Sequence, residues 1–121
     1  MTNFSDMTNP ELDKAVAELM GWKVVDMTDM YNGVFYVEDS ELDRVVVCAI
    51  KDFHPSTDRS QSLDVVDKMI ADGWTMYGDL NKYGIGVKFM KGNIELDEVY
   101  NNKSIPRAIC IAALVAKESE E

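Results

Sequence analysis

Leu12-Asp13-Lys14-Ala15-Val16-Ala17-Glu18-Leu19-Met20-Gly21-Trp22 opens a unit that this chain uses twice. Its apolar residues Leu12, Ala15, Val16, Leu19 and Met20 fall at i, i+3, i+4, i+7 and i+8, the stripe of a helix lying on a sheet. Gly21 supplies the residue that ends such a helix at positive φ, and Trp22 starts a strand. The stretch 12–35 is echoed by 63–89: Leu63-Asp64 leads through Gly73-Trp74 to Gly84-Ile85, as Leu12-Asp13 leads through Gly21-Trp22 to Gly33-Val34. Helix, Gly-Trp step, strand, polar turn and returning strand thus recur, which specifies an architecture and no chemistry.

Working outward, Thr8-Asn9-Pro10-Glu11 has the spacing of a capping box with proline in the first turn. Residues 22–27 read as a strand, 29–33 as a turn ending in Asn32-Gly33, and 34–37 as the returning strand. A further turn at 38–40 leads to the β-branched run 44–50. Residues 56–59 lead into a second helix that reaches about Ala71, with Leu63, Val66, Met69 and Ile70 as its buried face. Strands over 76–80 and 85–90 flank a turn at 81–84, and after Lys91-Gly92-Asn93 the residues Ile94, Leu96 and Val99 suggest one more short strand. Ser104 caps a last helix whose apolar positions Ile105, Ala108, Ile109, Ile111, Ala112, Leu114 and Val115 cover more than one face. Such a helix is buried or lies at a subunit contact. The predicted order is αββ(β)αββ(β)α, an α+β fold of antiparallel hairpins with helices on both faces of the sheet.

The chain has 121 residues, the size of one domain, and we read 1–121 as a single one. Apolar residues at 46% and charged residues at 28% are ordinary globular values, so the whole chain is expected to fold. No run approaches the roughly 18 to 20 apolar residues that span a bilayer, and no basic flank precedes an apolar stretch at the N-terminus; the expected compartment is the cytosol. The net charge of -10 argues against direct DNA or RNA binding, because clustered Lys and Arg supply phosphate affinity. The charge is uneven: Lys82, Lys88, Lys91, Lys103 and Arg107 outnumber Glu95, Asp97 and Glu98 over 81–107, a face suited to a small anion or simply a solvated strand surface.

Candidate chemistry is sparse. His54 is the only histidine, and no HxxxH, CxxC or His-Cys cluster accompanies it, so neither a metal site nor a nucleophilic triad is expected. Cys48 and Cys110 lie in apolar runs and read as inert buried thiols. Trp22 and Trp74, each just after a helix-ending glycine, read as core residues. Gly84-Ile85-Gly86 leads into no helix and is not a phosphate loop. The best local candidate is 54–59, where Ser56, Thr57, free backbone N–H groups and Arg59 meet the start of a helix, whose dipole favours anions. Ser, Thr and Asp before a helix are equally ordinary caps, and Asp58 or Thr57 would serve as one. Arg107 in the first turn of the last helix opposes the dipole and suggests an anionic partner or a salt bridge.

In Leu12 through Trp22, in Pro55-Ser56-Thr57-Asp58, in Gly86-Val87-Lys88-Phe89 and in 106–114, taken in order, the chain resembles the phage ABA (α-β-α) sandwich domain. The resemblance implies a phage or prophage origin, action in the host cytoplasm and a three-layer α/β/α sandwich. It supplies no catalytic residues, so the expectation is a protein that is not an enzyme and carries no cofactor. Small phage proteins of this kind often act against host defence. One expectation is a trap for a nucleotide-derived immune signal, with Ser56, Thr57, Arg59, Tyr83, Lys88 and Arg107 as ligand-binding residues, shared across a homo-oligomer formed through the last helix. The alternatives are an acidic nucleic-acid mimic that occupies a host defence protein and a phage structural or assembly protein.

Overall fold

The computed structural model describes residues 3–26, 33–39, 44–81, 84–92, 94–96, 99–101 and 104–120. The sequence-predicted turns at 29–32 and 40, together with Lys82, Tyr83, Asn93, Asp97, Glu98 and Lys103, lie outside them.

Helix α1 (Asn9–Leu19) begins where the sequence says it should. Thr8 Oγ1 accepts the Glu11 backbone N–H at 3.3 Å, and the Glu11 carboxylate accepts the Thr8 N–H at 3.1 Å. The Thr8 N–H and, at 2.9 Å, the Thr8 hydroxyl both donate to that carboxylate, favour its charged form and hold the Glu11 pKa below its usual value. Both Gly-Trp steps then prove to be one device. Gly21 (φ +85) and Gly73 (φ +99) occupy the left-handed position. Trp22 N–H reaches back to Ala17 O and Gly21 N–H to Glu18 O; Trp74 N–H reaches Met69 O and Gly73 N–H reaches Ile70 O, all at 3.0 to 3.1 Å. Each pair is a Schellman motif, which satisfies the last helical carbonyls and turns the chain into a strand.

Two antiparallel sheets follow from the two copies. The first contains β1 (Lys23–Asp26), β2 (Val34–Asp39) and β3 (Arg44–Ala49) in that spatial order, with Val24, Tyr36 and Cys48 in cross-strand register. In the second, β5 (Gly84–Lys91) pairs along one edge with β4 (Thr75–Asn81) and along the other with both β6 (Ile94–Glu95) and β7 (Val99–Asn101). The single short strand expected over 94–99 is therefore two, set against opposite ends of β5.

Helix α2 (Arg59–Ala71) has its buried face in a different place from the one its sequence suggests. Ser62, Val65, Val66 and Met69 are buried, whereas Leu63 and Ile70 are 54% and 55% exposed. Five apolar residues between 63 and 70 span more than one face of the helix, and only one face can meet a neighbour. The face that wins carries Ser62, whose small side chain permits close approach and whose hydroxyl donates to Arg59 O at 2.7 Å.

Helix α3 (Ile105–Ser119) is capped by Ser104, whose Oγ accepts Arg107 N–H at 3.2 Å. It packs on β5 and β7 and also on α1 and α2. Nine of its residues are buried, and five of those, Ala108, Cys110, Ala112, Ala113 and Ala116, are small enough to let neighbouring backbones come close. The burial that its sequence demands is met inside one chain. Phe89, Val87, Met69, Val65, Leu12 and Val16, each at most 1% exposed, complete the core of the sandwich.

The start of α3 is tied to the N-terminal segment by Arg107. Its guanidinium donates to Asn9 Oδ1 at 2.6 Å, Met7 O at 2.6 Å and Ser5 O at 3.2 Å, so one planar fork joins residues about a hundred positions apart.

Two stability predictions follow from this packing. Phe89→Ala should cost about 3 to 5 kcal/mol, and Leu63→Ala should stay within about 0.5 kcal/mol, read from urea midpoints at unchanged slope. If Leu63→Ala matches Phe89→Ala, the face assigned to α2 is wrong. Arg107→Lys keeps the charge but loses the fork and should cost about 1 to 3 kcal/mol in the same assay; a neutral result would show that the clamp is dispensable.

Candidate functional site

A cavity of about 590 Å³ opens between α1 and the first sheet. Pro10, Asp13 and Lys14 enter it from α1, and Val24 and Tyr36 from β1 and β2. Ile50 and Lys51 come from a 3-10 turn (Ile50–Asp52) that ends β3, followed by Phe53 and His54. The wall is apolar and aromatic: Tyr36 and Phe53 meet nearly edge-on at 5.7 Å between centroids, with Trp22 at 4.9 Å from Phe53 and 6.0 Å from Tyr36. Three groups that carry or can acquire positive charge, Lys14, Lys51 and His54, share the lining with one carboxylate. Among the described residues neither lysine is held in an ion pair. A smaller recess of about 240 Å³ elsewhere on α1 sets Lys117 against Glu18 and Glu118, a balance that disfavours an anion.

The carboxylate is Asp13. It is 9% exposed, and its Oδ1 accepts the Ser56 backbone N–H at 2.9 Å across 43 residues of sequence. That bond fixes the 54–58 turn against α1. The turn is held further by His54 O, which accepts N–H groups from Thr57 and Asp58 at 3.1 and 3.0 Å, and by Gln61. The Gln61 side chain accepts His54 N–H at 2.6 Å and donates to Asp52 O at 2.8 Å. A rigid loop thus delivers Phe53 and His54 to the cavity. Ser56 is 1% exposed, and among the described residues its Oγ has no hydrogen-bond partner.

The residues proposed from sequence as ligand-binding are dispersed relative to this cavity: of the 54–59 loop only His54 lines it, and Ser56, Thr57, Arg59, Lys88 and Arg107 do not. Ser56 stands behind it, bonded to Asp13. Thr57 is exposed and its hydroxyl donates to His54 O at 3.2 Å, while Asp58 is the cap of α2, accepting Gln61 N–H at 2.9 Å. Arg59 is exposed at the first helical position. Lys88 lies on β5, its Nζ 5.9 Å from the Tyr77 ring centroid, and Arg107 forms the clamp to Ser5, Met7 and Asn9. Tyr83 lies outside the described residues.

Sequence reasoning missed Asp13, Lys14, Tyr36 and Lys51. The available signal was an acid flanked by Leu12 and Val16: α1 buries the side that carries Asp13 and Ala17 and leaves Ala15 half-buried.

The two tryptophans behave as expected of packing residues. Trp74 is 2% exposed, donates Nε1–H to Glu120 at 2.9 Å and lies 5.4 Å beneath the Lys91 ammonium. Cys110 is buried, whereas Cys48, expected from sequence to be buried, is half-buried; burial, then the charge of Asp52, raises the Cys48 pKa, and burial, then Asp13, pushes that of Cys110 up to about 12, which disfavours the thiolate. Among the described residues no group of three or more His, Cys, Asp or Glu is arranged to hold a metal ion.

Burial, then the charge of Asp13, raises the Tyr36 phenol above its ordinary value of 10.0. The proton is bound more tightly in the folded state, so Tyr36 contributes no destabilisation below the ordinary value and an increasing one as the pH climbs from there through the raised folded value. Alkaline difference absorbance should show one late-ionising tyrosine that Tyr36→Phe removes. A profile unchanged by Tyr36→Phe would contradict this environment.

Residues 14–114 match the phage ABA sandwich domain. No curated protein and no solved structure matches the chain. The match spans well over half of the 121 residues, and the helices and antiparallel sheets described above have the α+β sandwich architecture that the family description names. The chain belongs to the phage ABA sandwich domain family.

Proposed function

We propose that this phage protein acts by binding rather than by catalysis, and that it sequesters a small anionic ligand of the nucleotide class, as a means of blunting a host immune signal. The observation that carries the reading is the cavity between α1 and the first sheet, where Lys14, Lys51 and His54 surround an aromatic wall of Tyr36 and Phe53. Its volume of about 590 Å³ lies within the range of small-molecule sites. Apolar wall plus a few polar groups is the usual composition of such sites, the wall supplying area and the charges fixing orientation. Tyr36 and Phe53 suit the face of a base, and two unpaired ammonium groups suit a phosphate.

The charge of the whole chain supports a small ligand over a polymer. At -10 the protein repels an extended polyanion that has to track its surface, whereas a compact anion meets only the local cations. The cavity is lined by one chain, so this reading does not depend on pairing of subunits through the last helix. It also moves the ligand away from 56–59, whose hydroxyls and N–H groups support the loop.

The test is native mass spectrometry and calorimetry with cyclic dinucleotides, cyclic trinucleotides and cyclic ADP-ribose isomers. Retention of one class is expected, and Lys14→Ala with Lys51→Ala should weaken it by about 10-fold or more while leaving the circular dichroism spectrum intact. Failure of every nucleotide to bind at micromolar concentration would overturn the proposal and direct the search to a protein partner, for which the acidic surface would then be the guide.

A further inference from the structure

Asp13 makes the cavity more selective than its lysines alone would. A carboxylate offers about four acceptor positions, and burying it without compensation is costly. Among the described residues Asp13 accepts one hydrogen bond, from Ser56 N–H, and joins no ion pair. It is 9% exposed and lines the cavity. Among the described residues the remaining acceptor capacity meets no donor, and the space that Asp13 lines is the cavity.

A cationic amine would satisfy the carboxylate but would meet Lys14 and Lys51 in the same lining. A ligand that suits both halves is anionic at one end and presents neutral N–H donors at the other. Nucleobases differ in this respect. The Watson–Crick edge of guanine places two adjacent donors, N1–H and the N2 amine, in the spacing of a carboxylate's two oxygens. The corresponding edges of adenine and cytosine set one amine beside a ring acceptor, and those of uracil and thymine flank one N–H with two carbonyls. A carboxylate repels each of those acceptors. Tyr36 and Phe53, in the same wall, can cover the face of the base whose edge Asp13 reads.

We infer that the cavity selects a guanine base, with the Asp13 carboxylate accepting from N1–H and the N2 amine while Lys14 and Lys51 face the phosphate. The inference rests on the reading of this cavity as a nucleotide site and goes beyond it by naming the base.

The experiment uses the full chain and three probes, GMP, IMP and AMP, with affinities taken from ligand-observed NMR titration. IMP lacks only the N2 amine, and AMP sets an acceptor against the carboxylate. GMP should bind about 10-fold tighter than IMP and about 100-fold tighter than AMP, the scale expected when one donor or the whole bidentate pair is lost. Asp13→Asn should compress the GMP to AMP ratio to less than about 3-fold, because an amide offers one acceptor and one donor group. Should that variant fail to fold, the three probes on the unaltered protein still decide the matter. Equal binding of GMP, IMP and AMP, or a preference for AMP, overturns the guanine assignment and leaves the nucleotide site standing. Absence of binding by all three, together with a negative result for the cyclic nucleotides, overturns both.

Discussion

Burial of α3 is the constraint on which the other elements depend. A fifteen-residue helix with nine buried side chains must be covered on several sides at once, by β5 and β7 and by α1 and α2. Each fully buried aliphatic side chain in it contributes roughly 1.5 to 3 kcal/mol, and the small residues between them set how closely the covering elements approach. This explains why α2 turns Ser62, Val65 and Met69 inward and leaves Leu63 and Ile70 to solvent. It also explains the Arg107 fork: the N-terminal segment has to be fastened over the start of α3, and backbone carbonyls of residues 5 and 7 are what it offers. A residue that looks like an anion receptor in sequence is in fact engaged by neutral oxygens of its own chain.

The second long-range link, from Asp13 to Ser56, connects that core to the cavity. Without it the 54–58 turn would be held only by its local bonds to Gln61 and to His54 O. With it, the placement of Phe53 and His54 depends on α1, the same helix that supplies Lys14. Cavity-lining groups from α1 and from the loop after β3 are therefore positioned by one buried hydrogen bond, and rigidity of this kind would lower the ordering cost of binding the proposed ligand. Among the described residues Ser56 Oγ is buried without a partner beside this bond, while the other hydrogen bonds of the turn hold it in place.

What the sequence disclosed follows from how local each feature is. The twin Gly-Trp exits were legible because a helix that ends in a Schellman motif needs a residue at positive φ, and Gly21 and Gly73 meet that need wherever the helices finally pack. Caps at Thr8, Asp58 and Ser104 were legible for the same reason, since donor and acceptor lie within three residues. The face of α2 was not, because its apolar residues leave two orientations open and α3 decides between them. Least legible was the cavity, whose walls come from 10–14, 24, 36 and 50–54 and converge only through sheet register and the Asp13 to Ser56 bond. Residues 54–59 attracted attention because capping and anion binding use the same residue types; hydrogen-bond geometry separates the two, and there it favours capping and loop support.

The proposed anion site is compatible with an acidic chain once distances are considered. Charges separated by more than the Debye length, about 8 Å at physiological ionic strength, are largely screened, so those acids of the net -10 chain that lie farther than this from the cavity would act weakly on the proposed ligand. Contact-range charges act far more strongly: a pair at 4 Å interacts with about 1 kcal/mol in water and about 4 kcal/mol at the effective dielectric of a protein surface. In the proposed site the two lysines would therefore govern binding, and distant acids would govern approach, slowing any polyanion that has to lie along the surface. The buried Asp13 belongs to the first group and not the second. Asp13 is 9% exposed and lines the cavity, so under the proposed reading an anionic ligand would carry its phosphate away from Asp13 and bring N–H donors toward it. For the proposed ligand the mixed signs of the lining would act as an orientation filter, which an all-cationic pocket of the same volume would lack.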